Sequence, residues 1–192
     1  LHLSIRRQRQ MCIRDRVHEA AYRGGDAAWQ YLEPEAARHG RAFLLRAEFG
    51  RTMLALLRCL AGLSAHTAAS SGALAAKYLS DVRAVSRALH RAKTPTARLN
   101  VRLIDAQLAV IDGQPERALE QFRAASSEYQ RLGWDSLEAP LTYVVGLLEG
   151  GDGGRQKRED ALALAASQGW QNPRRYIAAR CPVIDYLETN SR

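Results

Sequence analysis

Cysteine is scarce in this sequence, and its three positions lie far from one another. Cys12, Cys59 and Cys181 form no C-x-x-C pair, which excludes a disulfide-stapled scaffold and a cysteine-based zinc site. Cys59 falls in an apolar run, where a small buried side chain is expected. No apolar stretch reaches the ~18 residues that suggest a membrane span. The sequence therefore predicts a soluble, cytoplasmic chain that does not contact membranes.

Strand patterns and catalytic motifs are also missing. No segment alternates apolar and polar residues over the length of a strand. The chain contains no G-K-[ST], H-R-D, D-F-G or G-x-S-x-G motif. His18, His39, His66 and His90 are isolated, so we interpret them as surface or partly buried side chains rather than metal ligands. The sequence predicts a non-enzyme without cofactor or metal.

The first sixteen residues, LHLSIRRQRQMCIRDR, differ in character from the rest. They have neither the organisation of a signal peptide nor a helical period. Leu1–Arg16 resembles a translated sequencing-library adapter, since its codons can be read as a flow-cell tail, index, primer site and transposase end. The resemblance implies a disordered artefact, joined to a coding sequence whose true amino terminus, upstream of Val17, is missing. The alternative is a genuine basic arm that binds nucleic acid or a membrane.

Net charge gives little support for nucleic-acid binding. The chain has 28 Lys and Arg against 20 Asp and Glu, a net charge of +8. Five arginines and one aspartate lie within Leu1–Arg16, so only +4 remains for residues 17–192. The one dense basic run outside that segment, Arg155, Lys157 and Arg158, follows GGDGG and is interpreted as a solvated turn. Because a binding surface needs clustered charge, no nucleic-acid partner is expected.

Apolar residues recur at steps of three and four from residue 17 onward, which is typical of amphipathic helices. We predict short turns at Gly24-Gly25 and Asp112-Gly113, a loop over 64–72 and a wide turn over 150–154. A short helix is expected after Asn172-Pro173, with Asn172 as its N-cap. The other predicted helices cover 17–23, 26–33 as far as Pro34, 41–63, 73–91, 96–112, 115–132, 136–149 and 156–168.

One helix ending occurs twice. Gly133-Trp134 returns as Gly169-Trp170, 36 residues later, and each glycine is expected to cap a helix with its tryptophan folded back. A period of this length with helices throughout is typical of stacked helix pairs.

Within residues 99–132, small residues, a turn glycine and an aromatic follow the spacing of a known repeat. The positions are Ala106, Gly113, Ala118, Phe122 and Ala125. The chain resembles the tetratricopeptide repeats there, although Arg102 and Ala109 stand where that family has Trp and Tyr. The resemblance implies an all-α fold: an α-solenoid of about four stacked antiparallel helix pairs over residues 17–192, with degenerate repeats.

Two further stretches resemble the C-terminal helical region of large bacterial serine/threonine protein kinases. They are AAYRGGDAAWQYLEPEAARHGRAFLLRAEFGRTMLALLRCLAGL and the ending GWQNPRRYIAARCPVID. The resemblance implies a non-catalytic regulatory tail that binds a protein or peptide partner. Two alternatives remain open: the helical sensor array of an ATPase-type transcription regulator, and a stand-alone tetratricopeptide scaffold. The sequence assigns no oligomeric state and no partner-binding residues.

The aromatic residues allow two interpretations. The tryptophans could anchor a partner, but Trp134 and Trp170 sit at predicted helix ends, which favours local packing. A concave groove could be lined by Tyr22, Tyr31, Tyr78, Arg83 and Arg87, although one sequence does not establish concavity.

Overall fold

The computed structural model describes residues 19–39 and 48–190, and every regular element in those ranges is helical. The all-α prediction is confirmed. The predictions for Leu1–Arg16 and for the beginning of the helix at 41–63 lie outside the described residues. The helices are α1 (19–23), α2 (Ala27–His39), α3 (Glu48–Thr67), α4 (Gly72–Leu89), α5 (Pro95–Ile111), α6 (Pro115–Arg131), α7 (Glu138–Glu149), α8 (Gly151–Ser167), α9 (Pro173–Arg180) and α10 (Val183–Asn190), with a 3-10 turn at Asp135–Leu137 before α7.

Helices that follow one another in the chain pack against one another. The closest partners are α3 with α4, α5 with α6, and α7 with α8, and each pair also contacts the next. The main apolar core runs from α5 to α10, and smaller clusters lie between α2, α3 and α4 and between α3, α4 and α5. From α3 to α8, each helix thus packs against both the preceding and the following helix.

Three helices end in the same hydrogen-bonded turn. Gly113, Gly133 and Gly169 adopt φ values of 68°, 67° and 90°, which residues with a side chain rarely adopt. After Gly133, the Trp134 amide donates to the Tyr129 carbonyl, and the Trp170 amide donates likewise to Ala165. These are Schellman caps, and the predicted repetition of the helix ending is confirmed.

Two helices extend further than predicted. α2 continues through Pro34 to His39, although an interior proline removes one helical N–H and often ends or kinks a helix. α3 extends to Thr67 instead of ending at residue 63; there Ser64 donates to the Gly25 carbonyl, and Ala65 is buried.

The predicted wide turn at 150–154 is also wrong. Only Gly150 forms the turn, and α8 begins at Gly151. A Cβ on Gly154 would lie 2.3 Å from the Gly146 carbonyl oxygen, and a Cβ on Gly146 would lie 2.6 Å from the Gly154 oxygen. Glycine therefore allows α7 and α8 to pack backbone against backbone. The basic run Arg155, Lys157 and Arg158 consequently lies on a helix and not in a loop.

The last helix, α10, was not predicted from the sequence. It follows α9 directly after Cys181-Pro182 and contacts α3, α5 and α7, the first helices of the three closest pairs. α9 contacts α3 and α7 as well as α8. The C-terminal segment thus turns back across the helix pairs instead of extending their order.

Candidate functional site

The repeat-signature residues lie in the contact between α5 and α6. Ala106, Ala118, Phe122 and Ala125 are fully buried in the main core, and Gly113 forms the turn between the two helices. The small side chains let the helices approach, and Phe122 fills the space that remains. These residues thus contribute to the packing of α5 on α6 and to the turn between them.

The most distinctive surface is the one that α10 covers. We call the surface that α3, α5 and α7 present to α10 the shared face. Val183 and Ile184 of α10 are fully buried in the main core, and Leu187 packs against it half-buried. Asp185, Thr189 and Asn190 remain exposed. α10 is therefore an amphipathic helix whose apolar side lies on the shared face.

A polar cluster fastens the end of α10 to its neighbours. The Tyr143 hydroxyl on α7 donates to Glu188 Oε1 over 2.7 Å. Arg174 on α9 donates to Glu188 Oε2 over 2.7 Å and to Asp185 Oδ1 over 2.6 Å. We call Tyr143, Arg174, Asp185 and Glu188 the latch, because they join α7, α9 and α10 through side chains alone.

The latch changes the acidity of its members. Burial raises the pKa of the Tyr143 hydroxyl to about 12, and its hydrogen bond to the Glu188 carboxylate acts in the same direction. For Glu188, burial alone would raise the pKa, but hydrogen bonds from Arg174 and Tyr143 outweigh it and lower the pKa below its ordinary value. The Glu188 carboxylate therefore stays ionised at neutral pH and remains paired.

An aromatic cleft of about 410 Å³ lies between α1, the turn before α9 and α9 itself. The Trp170 ring stacks on Tyr176 with centroids 4.1 Å apart, and Tyr22 lies 6.5 Å from Trp170. The Arg180 guanidinium lies 5.8 Å from the centre of the Tyr176 ring. The cleft brings α1 close to the C-terminal helices.

The three tryptophans have different surroundings. Trp29 is buried against Tyr78. Trp134 rests on Tyr129 at 5.7 Å and Trp170 on Tyr176, yet 40% and 39% of their surfaces stay exposed. Trp134 and Trp170 thus pack on the ends of their helices and also remain partly exposed to solvent.

The residues proposed for a concave groove do not come together as one group. Tyr78 is buried in the α2–α4 cluster, Tyr22 packs beside the main core, and Arg83 pairs with Asp112 at the end of α5. What the sequence did not reveal was the latch, because Tyr143 and Glu188 are 45 residues apart. The one signal that could have indicated α10 is the helical spacing of Val183, Ile184 and Leu187, which is weak over eight residues.

One cluster in the described region combines serine, aspartate and histidine. Ser86 donates to Asp105 over 3.4 Å, and His90 Nε2 lies 3.1 Å from Asp105 Oδ2. A nucleophilic serine needs histidine as its direct partner, with the carboxylate behind the histidine. Here aspartate is the shared partner of both, so the arrangement is that of an interhelical polar contact.

Thiols and metal-ligand geometry add no catalytic candidate. Burial raises the pKa of Cys59 and of Cys181 to about 12, which keeps both thiols protonated and unreactive. Across residues 19–39 and 48–190, no three His, Cys, Asp or Glu side chains are grouped for a metal ion. No helix in the same ranges is long and apolar enough to cross a membrane.

Comparison with known proteins gives no relative for this chain. No protein-family model matches it, and neither a curated protein nor a solved structure matches it.

Proposed function

We propose that this chain is a non-catalytic protein-interaction segment, built as a degenerate tetratricopeptide-like α-solenoid, and that it serves as the C-terminal regulatory tail of a bacterial serine/threonine protein kinase. The observation that carries the interaction function is the seating of α10 on the shared face. A surface that holds an amphipathic helix through buried aliphatic side chains and paired carboxylates is suited to helix-in-groove recognition.

Repeated contacts between successive pairs support the solenoid. Arg83 of α4 pairs with Asp112 at the end of α5, and Arg123 of α6 pairs with Glu149 at the end of α7 over 2.9 Å. In each case the second helix of one pair reaches the end of the first helix of the next pair. The second helices α6 and α8 also end in matching Schellman caps, after Arg131 and Ser167. Such recurring contacts between successive pairs are what a repeat array requires, and they support the proposed solenoid.

The kinase parentage rests on the sequence resemblance and has a direct test. The coding sequence upstream of codon 17 is recovered by long-read sequencing of the source DNA. We expect an open frame that contains a Gly-rich loop, H-R-D and D-F-G. A start codon within a few tens of codons would instead indicate a stand-alone scaffold, and a helix-turn-helix segment a transcription regulator.

The interaction function is then tested on the recovered full-length protein. Deletion of residues 17–192 should leave phosphorylation of a short peptide unchanged, because the segment supplies no catalytic group. Phosphorylation of a protein substrate, or its regulation by a partner, should be lost. The proposal would be overturned if the full-length protein and the variant without residues 17–192 phosphorylated every protein substrate equally and responded equally to every partner.

A further inference from the structure

The geometry points to α10 as a removable occupant of the shared face. We propose that α10 leaves this face as a unit when the latch opens, and that the face then accepts an amphipathic helix of the same kind from a partner protein. This inference rests on the proposed interaction function and adds to it the class of partner and the means of regulation.

The connection to the rest of the chain allows this movement. α9 ends at Arg180 and α10 begins at Val183, so only Cys181-Pro182 joins them. α10 is only eight residues long. Rotation about this junction would free α10 without breaking any contact between α3, α4, α5, α6, α7 and α8.

The contacts that hold α10 define what can replace it. The aliphatic side of α10 consists of Val183, Ile184 and Leu187. Glu188 follows directly, and its carboxylate accepts hydrogen bonds from Arg174 and Tyr143. The partner is therefore a helix with aliphatic residues at positions i, i+1 and i+4 and an acidic residue at i+5. The carboxylate of that acidic residue would accept the hydrogen bonds from Tyr143 and Arg174 that Glu188 accepts while α10 is in place.

Two buried thiols allow the opening to be measured in the full chain. Cys181 is fully buried at the α9–α10 junction, whereas Cys59 is buried in α3 beside Val82. Release of α10 exposes Cys181, but Cys59 is exposed only when the helix pairs separate. With Cys12 replaced by serine, the labelling rates of Cys181 and Cys59 report local and global opening in one sample.

Glu188→Ala breaks the latch, and Tyr143→Phe is a milder variant that removes one hydroxyl. We expect Glu188→Ala to speed the labelling of Cys181 by about tenfold or more, because Glu188 accepts charge-assisted hydrogen bonds from both Tyr143 and Arg174. Global unfolding breaks the same hydrogen bonds, so the Cys59 rate should also rise in this variant.

The matched control is Glu128→Ala, which removes the pair with Arg102 between α5 and α6. Because that pair persists when α10 is released, this variant should speed the labelling of Cys59 and leave the Cys181 rate unchanged. Equal acceleration of both thiols in Glu128→Ala would show that Cys181 is exposed only by global unfolding, and would overturn the proposal. An unchanged Cys181 rate in both Glu188→Ala and Tyr143→Phe would overturn it as well.

Displacement is tested by adding a synthetic peptide with the sequence of residues 183–190, VIDYLETN. We expect Cys181 labelling in the Glu188→Ala protein to rise with peptide concentration to a plateau, because the peptide occupies the vacated face. A scrambled peptide should have no effect. Faster Cys181 labelling without any response to the α10 peptide would contradict displacement, while the kinase parentage and substrate delivery would still be judged by their own experiments.

Discussion

Glycine plays two different roles at neighbouring positions of α8. Gly154 faces the Gly146 carbonyl so closely that a methyl group would overlap it, whereas a Cβ on Gly153 would meet nothing within 4 Å. Gly154→Ala should destabilise the fold by about 1–3 kcal/mol, as overpacking does. Gly153→Ala should stabilise it by about 0.5–1 kcal/mol, since alanine loses less backbone entropy in a helix. Urea unfolding followed by circular dichroism measures both, and equal effects would contradict the close contact of α7 and α8.

Phe122 is the largest of the repeat-signature side chains, and it is fully buried between α5 and α6. Phe122→Ala should cost about 3–5 kcal/mol, the combined effect of lost burial and a cavity. Leu132→Ala is the control, because Leu132 is 39% exposed and its truncation should cost less than about 1 kcal/mol. Comparable losses in thermal denaturation of the two variants would argue against this packing.

Residue-level patterns in the sequence predicted local chemistry well. Asn172, Gly133 and Gly169 have the capping roles that their neighbours indicated, because a cap depends on residues within one helical turn. Interhelical contacts such as that of Gly154 with Gly146 could not be predicted in this way. Two adjacent glycines such as Gly153-Gly154 are equally compatible with a turn and with a close helix contact. Only the position of the neighbouring helix, α7, distinguishes the two.

At the scale of elements, α9 depends on its N-cap. The Asn172 side-chain oxygen accepts from the Arg175 amide over 3.0 Å. Asn172→Ala should lower stability by about 1 kcal/mol, whereas Asn172→Asp should retain most of it, because both Asn and Asp cap helices. Since α9 carries Arg174 of the latch, we also expect Cys181 to become easier to label in Asn172→Ala. An alanine variant as stable as the aspartate variant would contradict the capping role.

The helices themselves followed from apolar periodicity, and most boundaries were predicted to within a few residues. The errors arose where tertiary contacts extend or preserve a helix. α3 reaches Thr67 because Ser64 and His66 bind carbonyls outside their own helix, those of Gly25 and Ala75. α10 was overlooked because eight residues give a weak periodic signal, and helical structure there is supported by burial on the shared face.

At the scale of the whole molecule, the carboxylates of Glu149 and Glu188 make the free energy of unfolding depend on pH. Hydrogen bonds from Lys157 and Arg123 lower the pKa of Glu149. The pKa of Glu188 is also lowered, because the hydrogen bonds from Arg174 and Tyr143 outweigh its burial. A carboxylate with a folded-state pKa below its unfolded value of about 4.5 stabilises the fold above that pH, and this contribution is lost as pH falls through the folded pKa.

The free energy of unfolding should therefore fall on acidification below about pH 5, and the fall should be shallower in a Glu149→Gln, Glu188→Gln double variant. Denaturant titrations at a series of pH values measure this difference. Glu120→Gln, at an exposed position on α6, is the control and should keep the steeper profile. Identical pH profiles for the double variant and the parent would show that neither pair contributes to stability.

The arrangement of the whole chain was the part least accessible from the sequence. Stacking of consecutive helices follows from their alternation with short turns, but the return of α9 and α10 across α3, α5 and α7 involves partners far apart in the sequence. The placement of α10 is the central claim of this account, because the interaction surface and its regulation both depend on it.

A double-mutant cycle between α7 and α10 tests that placement most directly. The free energies of unfolding are measured for the parent, Tyr143→Phe, Glu188→Ala and the combined variant. If Tyr143 donates to Glu188 as described, the two substitutions should be coupled by about 1 kcal/mol, whereas Tyr143→Phe with Glu120→Ala should be additive. Additivity of Tyr143→Phe with Glu188→Ala would contradict the seating of α10 on the shared face.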